Sequence, residues 1–305
     1  MRTLVTGGAG FLGQAFAVRA RGAGHQVTTI DLGDNADVQC DIADVPALAA
    51  AMAKLRPEVV VHLAALLTDA AADDPEAAVR INIGGTGAVF AAARAAAVQR
   101  IVYASSVAAV GPCAEDSGDG VALRPRTVYG ATKAAGEHLC RALSALDGYP
   151  ASLALRFGWI YGPGRERGWR IAQDAVERFA RGDRHVVVPD FPGPIDWTYV
   201  DDAAEVLLRA LAAPLTRFAV FNVVGDRRTM RDAIAHLQRR YPGVQVEYQA
   251  VAVPASGWTL RNDGLEAALG FAPATRLEDG IDAMLAGWRR DRVQARPSSA
   301  AAGAG

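Results

Sequence analysis

A chain of 305 residues that is 51% apolar has the material for one large core or two modest ones, so it is globular. Its 32 basic and 33 acidic residues leave a formal net charge of −1, which removes the basic field that nucleic acid or an anionic membrane would need. The cysteines (Cys40, Cys113, Cys140) and the histidines (His25, His62, His138, His185, His236) are scattered, which predicts reduced thiols in a cytoplasmic protein and no metal site.

The sequence begins on a strand, without a charged leader or an apolar run of membrane-spanning length. Leu4-Val5 gives way to Gly7, Gly10 and Gly13, and Phe11 to Ala20 is compatible with a helix. A strand that turns this sharply into a helix suits a dinucleotide. Gly7 fits the tight turn, and Gly10 lets backbone N–H groups approach a pyrophosphate. Gly13 lets the helix pack closely on its strand, and Phe11 and Leu12 open that helix at its positive end. The next apolar run, Val27 to Ile30, ends in Asp31, eighteen residues past Gly13, where an acid holds the adenosine ribose hydroxyls. Asp31 repels a 2′-phosphate, and Leu32-Gly33-Asp34 supplies no arginine to receive one, so the expected cofactor is NAD.

Asp41-Ile42 follows a short polar crossing, Pro46 to Leu55 is a predicted helix, and Val59 to Val61 is a continuous apolar strand. Apolar strands separated by helices predict an α/β fold of Rossmann type, a doubly wound parallel sheet covered on both faces. Leu63-Ala64-Ala65 then places small residues where bulky ones would block a bound cofactor. Asp74-Pro75 caps a predicted helix to about Ala97 that is apolar nearly all round, so a dimer partner is a candidate to bury one face. Ile101 to Ala104 is a strand leading to Ser105-Ser106, Thr127 to Leu146 a helix, and Ser152 to Phe157 a strand.

The first 157 residues thus form the expected NAD-binding domain. From Gly158 the composition changes, with Gly162-Pro163-Gly164, several arginines, and Pro189, Pro192 and Pro194. Residues 158–195 and 225–290 are predicted to build a smaller C-terminal α/β substrate lobe. Between them, segments at about 196–224, with strands Trp197 to Val200 and Phe218 to Val223, are expected to return to the first sheet. Helices from Asp201 and near Thr229, a strand from Val244 to Tyr248 and a helix from Glu278 to about Arg290 complete the lobe. The low-complexity end, 291–305, is expected to be a flexible tail.

Tyr129 and Lys133 stand one turn apart on one helix face. A phenol with its ordinary pKa of about 10 is a poor base at neutral pH, and an ammonium fixed nearby should bring it toward the working range. Ser106 ends a strand that should open into the same crevice, where its hydroxyl could steady a developing oxyanion.

With these residues in order, the chain resembles the extended short-chain dehydrogenase/reductases, or NAD-dependent epimerase/dehydratase family, over residues 1 to 290. The matching segments are Thr6 to Gly13, Asp31, Asp41-Ile42, His62 to Ala65, Asn82 with Gly85-Thr86, Ser105-Ser106, Tyr129 to Lys133, Arg156 with Tyr161-Gly162-Pro163, and Tyr199 to Asp202. The resemblance implies a seven-stranded sheet, Asp41-Ile42 at the adenine, and Leu63, Ala64, Ala65, Asn82 and Arg156 among the cofactor contacts. It also implies Tyr129 as acid/base, Lys133 on both the nicotinamide ribose and Tyr129, Ser106 as the third catalytic residue, and a homodimer through a four-helix bundle.

Departures from the family pattern narrow the reaction. Dehydratases of this type carry an acidic pair after the Ser/Thr, where Val107-Ala108 stand here. Nucleotide-sugar epimerases have Asn and Arg where Trp159 and Ile195 stand. Arg165 and Arg167, with Arg170, follow Gly164 and could hold a small anion. Val107, Trp159, Arg165 and Arg167 join Ser106 as candidate substrate residues. The preferred expectation is an NAD-dependent oxidoreductase acting on a secondary alcohol of a small carbohydrate-like or hydroxy-acid substrate. The alternative is a nucleotide-sugar epimerase using transient oxidation. Minor alternatives are an enzyme like the short-chain threonine dehydrogenase, which segments 105–112 and 124–130 resemble, and a non-catalytic dinucleotide sensor.

Overall fold

The computed structural model describes residues 1–113, 117–214, 217–251 and 260–294. In chain order its strands are β1 (Arg2–Thr6), β2 (Gln26–Asp31), β3 (Val38–Gln39), β4 (Val59–His62), β5 (Arg100–Ser106), β6 (Ala151–Phe157), β7 (Trp159–Tyr161), β8 (His185–Asp190), β9 (Ile195–Tyr199), β10 (Phe218–Val223), β11 (Asp226–Arg228) and β12 (Gln245–Ala250). Seven of them form one parallel sheet in the order β10-β6-β5-β4-β1-β2-β3. The winding direction reverses between β1 and β4. At such a switch point the carboxyl ends of neighbouring strands diverge and leave a crevice. The glycine turn after β1, the Leu63-Ala64-Ala65 segment after β4 and Ser106 at the end of β5 all lie along that edge.

Both faces of the sheet are covered, as its continuous apolar strands require. On one face Phe16 and Ala20 of the first helix (Phe11–Gly22) meet Ala203, Val206 and Leu207 of the helix Val200–Ala210. On the other, Leu48 and Met52 pack with Val89, Phe90 and Cys140 from helices Val45–Leu55, Gly85–Ala95 and Val128–Ser144. The predicted helix from Asp74 to Ala97 is interrupted: Pro75–Ala78 is α-helical, Val79–Gly84 is a π segment, and Gly85–Ala95 is α-helical again. Its apolar surround is largely explained within the chain, since Ala78, Ala88, Val89, Phe90, Ala92 and Ala93 are buried here and Val79 is exposed.

Of the two strands expected to return to the first sheet, Phe218–Val223 does so, pairing with β6. Ile195–Tyr199 does not; it pairs parallel with β7 and antiparallel with β11 in a separate three-stranded sheet. The open edge of β6 is already taken by β10. The approach of β9 is admitted instead at Gly158, where a Cβ would stand 3.0 Å from the Asp196 carbonyl. Trp197 of this strand is fully buried in a second core with Phe179, Val186, Ile234, Leu237 and Met284.

Helices Thr68–Asp73, Ile171–Arg181 and Asp263–Leu269 and strands β3, β7, β8 and β11 are further elements that the sequence analysis does not predict. The last helix, Leu277–Gln294, runs four residues into the expected flexible tail; the rest of that tail, 295–305, lies outside the described residues. Among the described residues no helix is long and apolar enough to cross a membrane, and no cluster of His, Cys, Asp and Glu could hold a metal ion.

Candidate active site

The glycine turn is built to tolerances that leave no room for side chains. Gly7 has φ +72°, a region L side chains rarely adopt, and a Cβ there would stand 2.6 Å from the Ala64 nitrogen. At Gly13 a Cβ would stand 2.3 Å from the Gly7 carbonyl oxygen, so the helix can meet its strand only without one. Gly8, which the sequence analysis passes over, is equally constrained: its Cβ would meet Thr29 Cβ at 2.4 Å. Gly10 caps the first helix, and the N–H groups of Phe11, Leu12 and Gly13 have no preceding turn to bond to, so they face outward as donors.

Asp31 is wired into this turn. Its carboxylate accepts from Ala9 N at 3.0 Å, Leu32 N at 2.7 Å and Gly33 N at 3.3 Å, so its position is fixed by the backbone it serves. Asp41 closes its own turn through Ala43 N at 2.8 Å, and Ile42 is buried against Gly85, where a Cβ would stand 2.6 Å from its Cδ1. Leu63 and Ala64 follow β4 beside the glycine turn, with Ala64 N donating to Thr6 Oγ1. A glycine-lined helix start, a fixed acid at the second strand and small residues after the fourth together fit a dinucleotide without a 2′-phosphate.

A buried polar chain ties these pieces together. Thr86 Oγ1 donates to the Asn82 carbonyl at 2.6 Å, so it must accept from His62 Nε2–H at 3.0 Å, and His62 Nδ1 then accepts from Thr6 Oγ1 at 2.6 Å. Burial, with the Lys133 charge second, lowers the His62 pKa from 6.5 to about 3, so the ring is held neutral. An unfolded chain takes up that proton below about pH 6.5, so this contribution to stability is lost as pH falls toward 3. By pH 5 it should cost about 2 kcal/mol. Urea midpoints at pH 7 and 5 check this: the pH dependence should be shallower in His62→Gln, and equal dependence in both proteins would contradict it.

Asn82, expected among the cofactor contacts, uses its amide within the chain. Oδ1 accepts from Leu66 N at 2.7 Å, and Nδ2 donates to the Leu66 carbonyl at 3.0 Å and to Thr132 Oγ1 at 2.9 Å. It pins the loop after β4 to the helix that carries Tyr129, and it does so from within the π segment, whose irregular turn sets it there. Arg156 is likewise engaged inside the protein. Its guanidinium grips Glu137 in a buried two-pronged pair, with both bonds at 2.8 Å, and donates to the Asp119 carbonyl. Ser105 Oγ also donates to Glu137 Oε1.

The helix carrying Tyr129 and Lys133 starts at Thr127, whose side chain accepts from Gly130 N, and it packs on the short turn Val107–Ala109 so closely that a Cβ at Gly130 would stand 2.3 Å from the Ala108 carbonyl oxygen. That contact brings Tyr129 beside Ser106. Ser106 Oγ accepts from Ala108 N at 3.1 Å, and its hydroxyl opposes the effect of burial on the Tyr129 phenol. Lys133 is buried, donates to the Ala104 carbonyl at 2.7 Å, and lies 5.0 Å from the Tyr103 ring centre and 5.7 Å from that of Tyr129. Burial lowers its pKa from 10.5 to about 8.

The electrostatics differ from the expectation that Lys133 draws the phenol down. Burial raises the Tyr129 pKa from 10 to about 12, opposed by the Ser106 hydroxyl and then by the charge of Arg165. Desolvation outweighs both, and the Lys133 ammonium is committed to the Ala104 carbonyl one strand residue before Ser105.

On the substrate-lobe side, Val107 opens the turn after Ser106 and is half-buried. Trp159 stacks on Trp197 with ring centres 5.2 Å apart and meets Trp169 and Phe191 edge-on. Ile195 is buried in the second core. Arg165 donates to the Ile160 carbonyl at 2.8 Å and lies over the Phe11 ring, whereas Arg167 is exposed and Arg170 pairs with Asp174 and Glu177. Trp169, which the sequence analysis does not single out, donates to Asp69 and ties the arginine loop to the segment after β4.

A family model described as the NAD dependent epimerase/dehydratase family matches residues 3–224. UDP-glucose 4-epimerase of Mycolicibacterium smegmatis is 32% identical over 231 residues, covering 69% of this chain and 73% of that protein. The chain belongs to this family. dTDP-4-dehydrorhamnose reductase of Streptomyces griseus is 33% identical over 242 residues, 77% of this chain and 74% of that one. The structure of Thermus thermophilus UDP-glucose 4-epimerase with NAD superposes with a TM-score of 0.82 at 26% identity, covering 95% of this chain and 99% of the other.

The chain is therefore an enzyme of the extended short-chain dehydrogenase/reductase type, with the Rossmann sheet expected of it and NAD as cofactor. Epimerase/dehydratase family relatives of comparable identity include both an epimerase and a reductase, so membership defines the fold and cofactor class more tightly than the net reaction.

Proposed function

We propose that this enzyme oxidises a secondary alcohol of a small carbohydrate-like or hydroxy-acid substrate, with Ser106, Tyr129 and Lys133 as its acid/base group. The observation that carries the reading is the close packing of Gly130 on Ala108, which brings Tyr129 to Ser106 at the carboxyl edge of the sheet, one helix turn from a buried lysine. The glycine turn and Asp31 would hold NAD, which would supply the hydride acceptor. Tyr129 Oη takes the alcohol proton. Ser106 Oγ donates to the oxygen as negative charge develops there, and the Arg165 charge opposes the burial that disfavours the phenolate. A phenol with a pKa of about 12 needs that help.

The small-substrate part of the reading is supported by Trp159 and Ile195. Trp159 is held in an aromatic stack and Ile195 sits in an apolar core, so neither supplies the amide or guanidinium donors that Asn and Arg would bring to a diphosphate. The second reading, a nucleotide-sugar epimerase, is favoured by the relatives that carry that name. Incubation with NAD and either small alcohols or UDP- and dTDP-sugars separates them. NADH appearing one-for-one with product supports oxidation, whereas sugar interconversion with no NADH supports epimerisation.

Asp31→Ser should narrow the preference for NAD over NADP, because it removes both the acceptor for ribose hydroxyls and the charge that repels a 2′-phosphate. A change of about tenfold in the ratio of dissociation constants is expected. Fluorescence titration of both nucleotides checks it, and equal affinities in the parent protein would overturn the assignment.

A further inference from the structure

The three arginines after Gly164 are placed differently. Arg167 points to solvent. Arg170 is matched within its own helix by Asp174 and Glu177, and it also donates to the Arg165 carbonyl. Arg165 is matched by nothing of opposite charge among the described residues. Among the described residues it makes one hydrogen bond, from Nη1 to the Ile160 carbonyl, and its Nε is buried without a partner there. Leaving buried donors of a charged group unpaired costs free energy, and a guanidinium held out of water is ordinarily found with a counter-ion.

The loop holds this cation in place. Trp169 Nε1 donates to Asp69 at 3.2 Å, a Cβ at Gly168 would stand 3.0 Å from Leu67 Cδ1, and Arg170 braces the Arg165 backbone. The guanidinium thus lies over the Phe11 ring, 5.4 Å from its centre at the head of the first helix, and its charge reaches the Tyr129 phenol. The helix start brings its own N–H donors for a pyrophosphate.

We infer that Arg165 binds a carboxylate of the substrate, and that the enzyme therefore acts on hydroxy acids or sugar acids rather than on the corresponding neutral alcohols. A guanidinium fork with free donors suits a planar carboxylate bidentately. The inference rests on the proposed function only in taking Tyr129 as part of the substrate site.

Binding, read without turnover, tests it. Gluconate, glucuronate and 3-hydroxybutyrate would be titrated by calorimetry into the protein loaded with NADH, which cannot accept hydride, beside glucose and 2-butanol. At least one acid should bind about tenfold more tightly than its neutral counterpart. Arg165→Gln should abolish that preference, Arg165→Lys should restore part of it, and the NAD affinity of both variants should stay within about twofold. Thermal unfolding of each NAD-loaded variant verifies that it is folded. The inference is overturned if no acid outbinds its neutral counterpart or if Arg165→Gln keeps the preference. It is equally overturned if Arg165→Gln weakens NAD without touching the preference, since the cation would then serve the pyrophosphate. If the carboxylate preference holds but no alcohol is oxidised, the proposed function fails and the Arg165 site stands.

Discussion

Tyr129→Phe should reduce turnover by roughly 10³-fold while NAD binding stays within about twofold, because the change removes one oxygen and the proton it handles. The ring is half-buried against the turn that Ser106 begins, and phenylalanine refills the same volume, so the fold should be unaffected. In the parent protein the phenol is held at about 12 and Lys133 at about 8. Deprotonated phenol therefore grows with pH across the neutral range, and oxidation should accelerate by about tenfold per pH unit until Lys133 loses its charge near pH 8. Residual activity of the variant should lack that slope. Steady-state rates between about pH 6 and 9 provide the check, and a variant with the parent's rate and slope would remove Tyr129 from the mechanism.

Lys133→Met should damage both rate and cofactor affinity. The ammonium is buried, and its bond to the Ala104 carbonyl fixes it between the Tyr103 and Tyr129 rings. Its loss removes that buried charged hydrogen bond, at a cost of about 1.5–3 kcal/mol in stability, and takes away a cation beside the phenol. Turnover should fall by about 10² or more, with NAD weaker by about tenfold. A stability measurement beside NAD titration separates the effects. Unchanged NAD affinity in a folded variant would confine Lys133 to the proton step.

What could be read from the sequence is what local backbone geometry demands. Gly7 and Gly13 announce themselves because no side chain fits, and Asp31 because a strand must end there in an acid. Tyr129 and Lys133 are legible because one helix turn fixes their shared face. Gly8 could have been found by the same reasoning, since it adjoins Gly7 in the same turn.

Pairings between distant segments leave no such mark. Arg156 meets Glu137 from an element nineteen positions away, and nothing in either segment alone distinguishes that buried pair from a cofactor contact. The alternation of Ile195–Tyr199 identifies a strand but not its neighbour, and β10 had already filled the edge it was expected to join. The helix Ile171–Arg181 has buried Ala172, Ala175, Val176 and Phe179 at helical spacing, a signal obscured by the Gly, Pro and Arg residues before it. The raised Tyr129 pKa depends on burial in three dimensions, which spacing does not convey.

Net oxidation of a small alcohol through the chain's own hydroxyls leaves reduced cofactor behind. The most direct measurement is the NADH absorbance that develops when the parent protein and Tyr129→Phe are each given NAD with small hydroxy acids and sugar acids, or with UDP- and dTDP-sugars. The account predicts NADH accumulating in step with keto product from a small substrate, in the parent alone. Interconversion of a nucleotide sugar without NADH, or equal NADH formation by Tyr129→Phe, would contradict it.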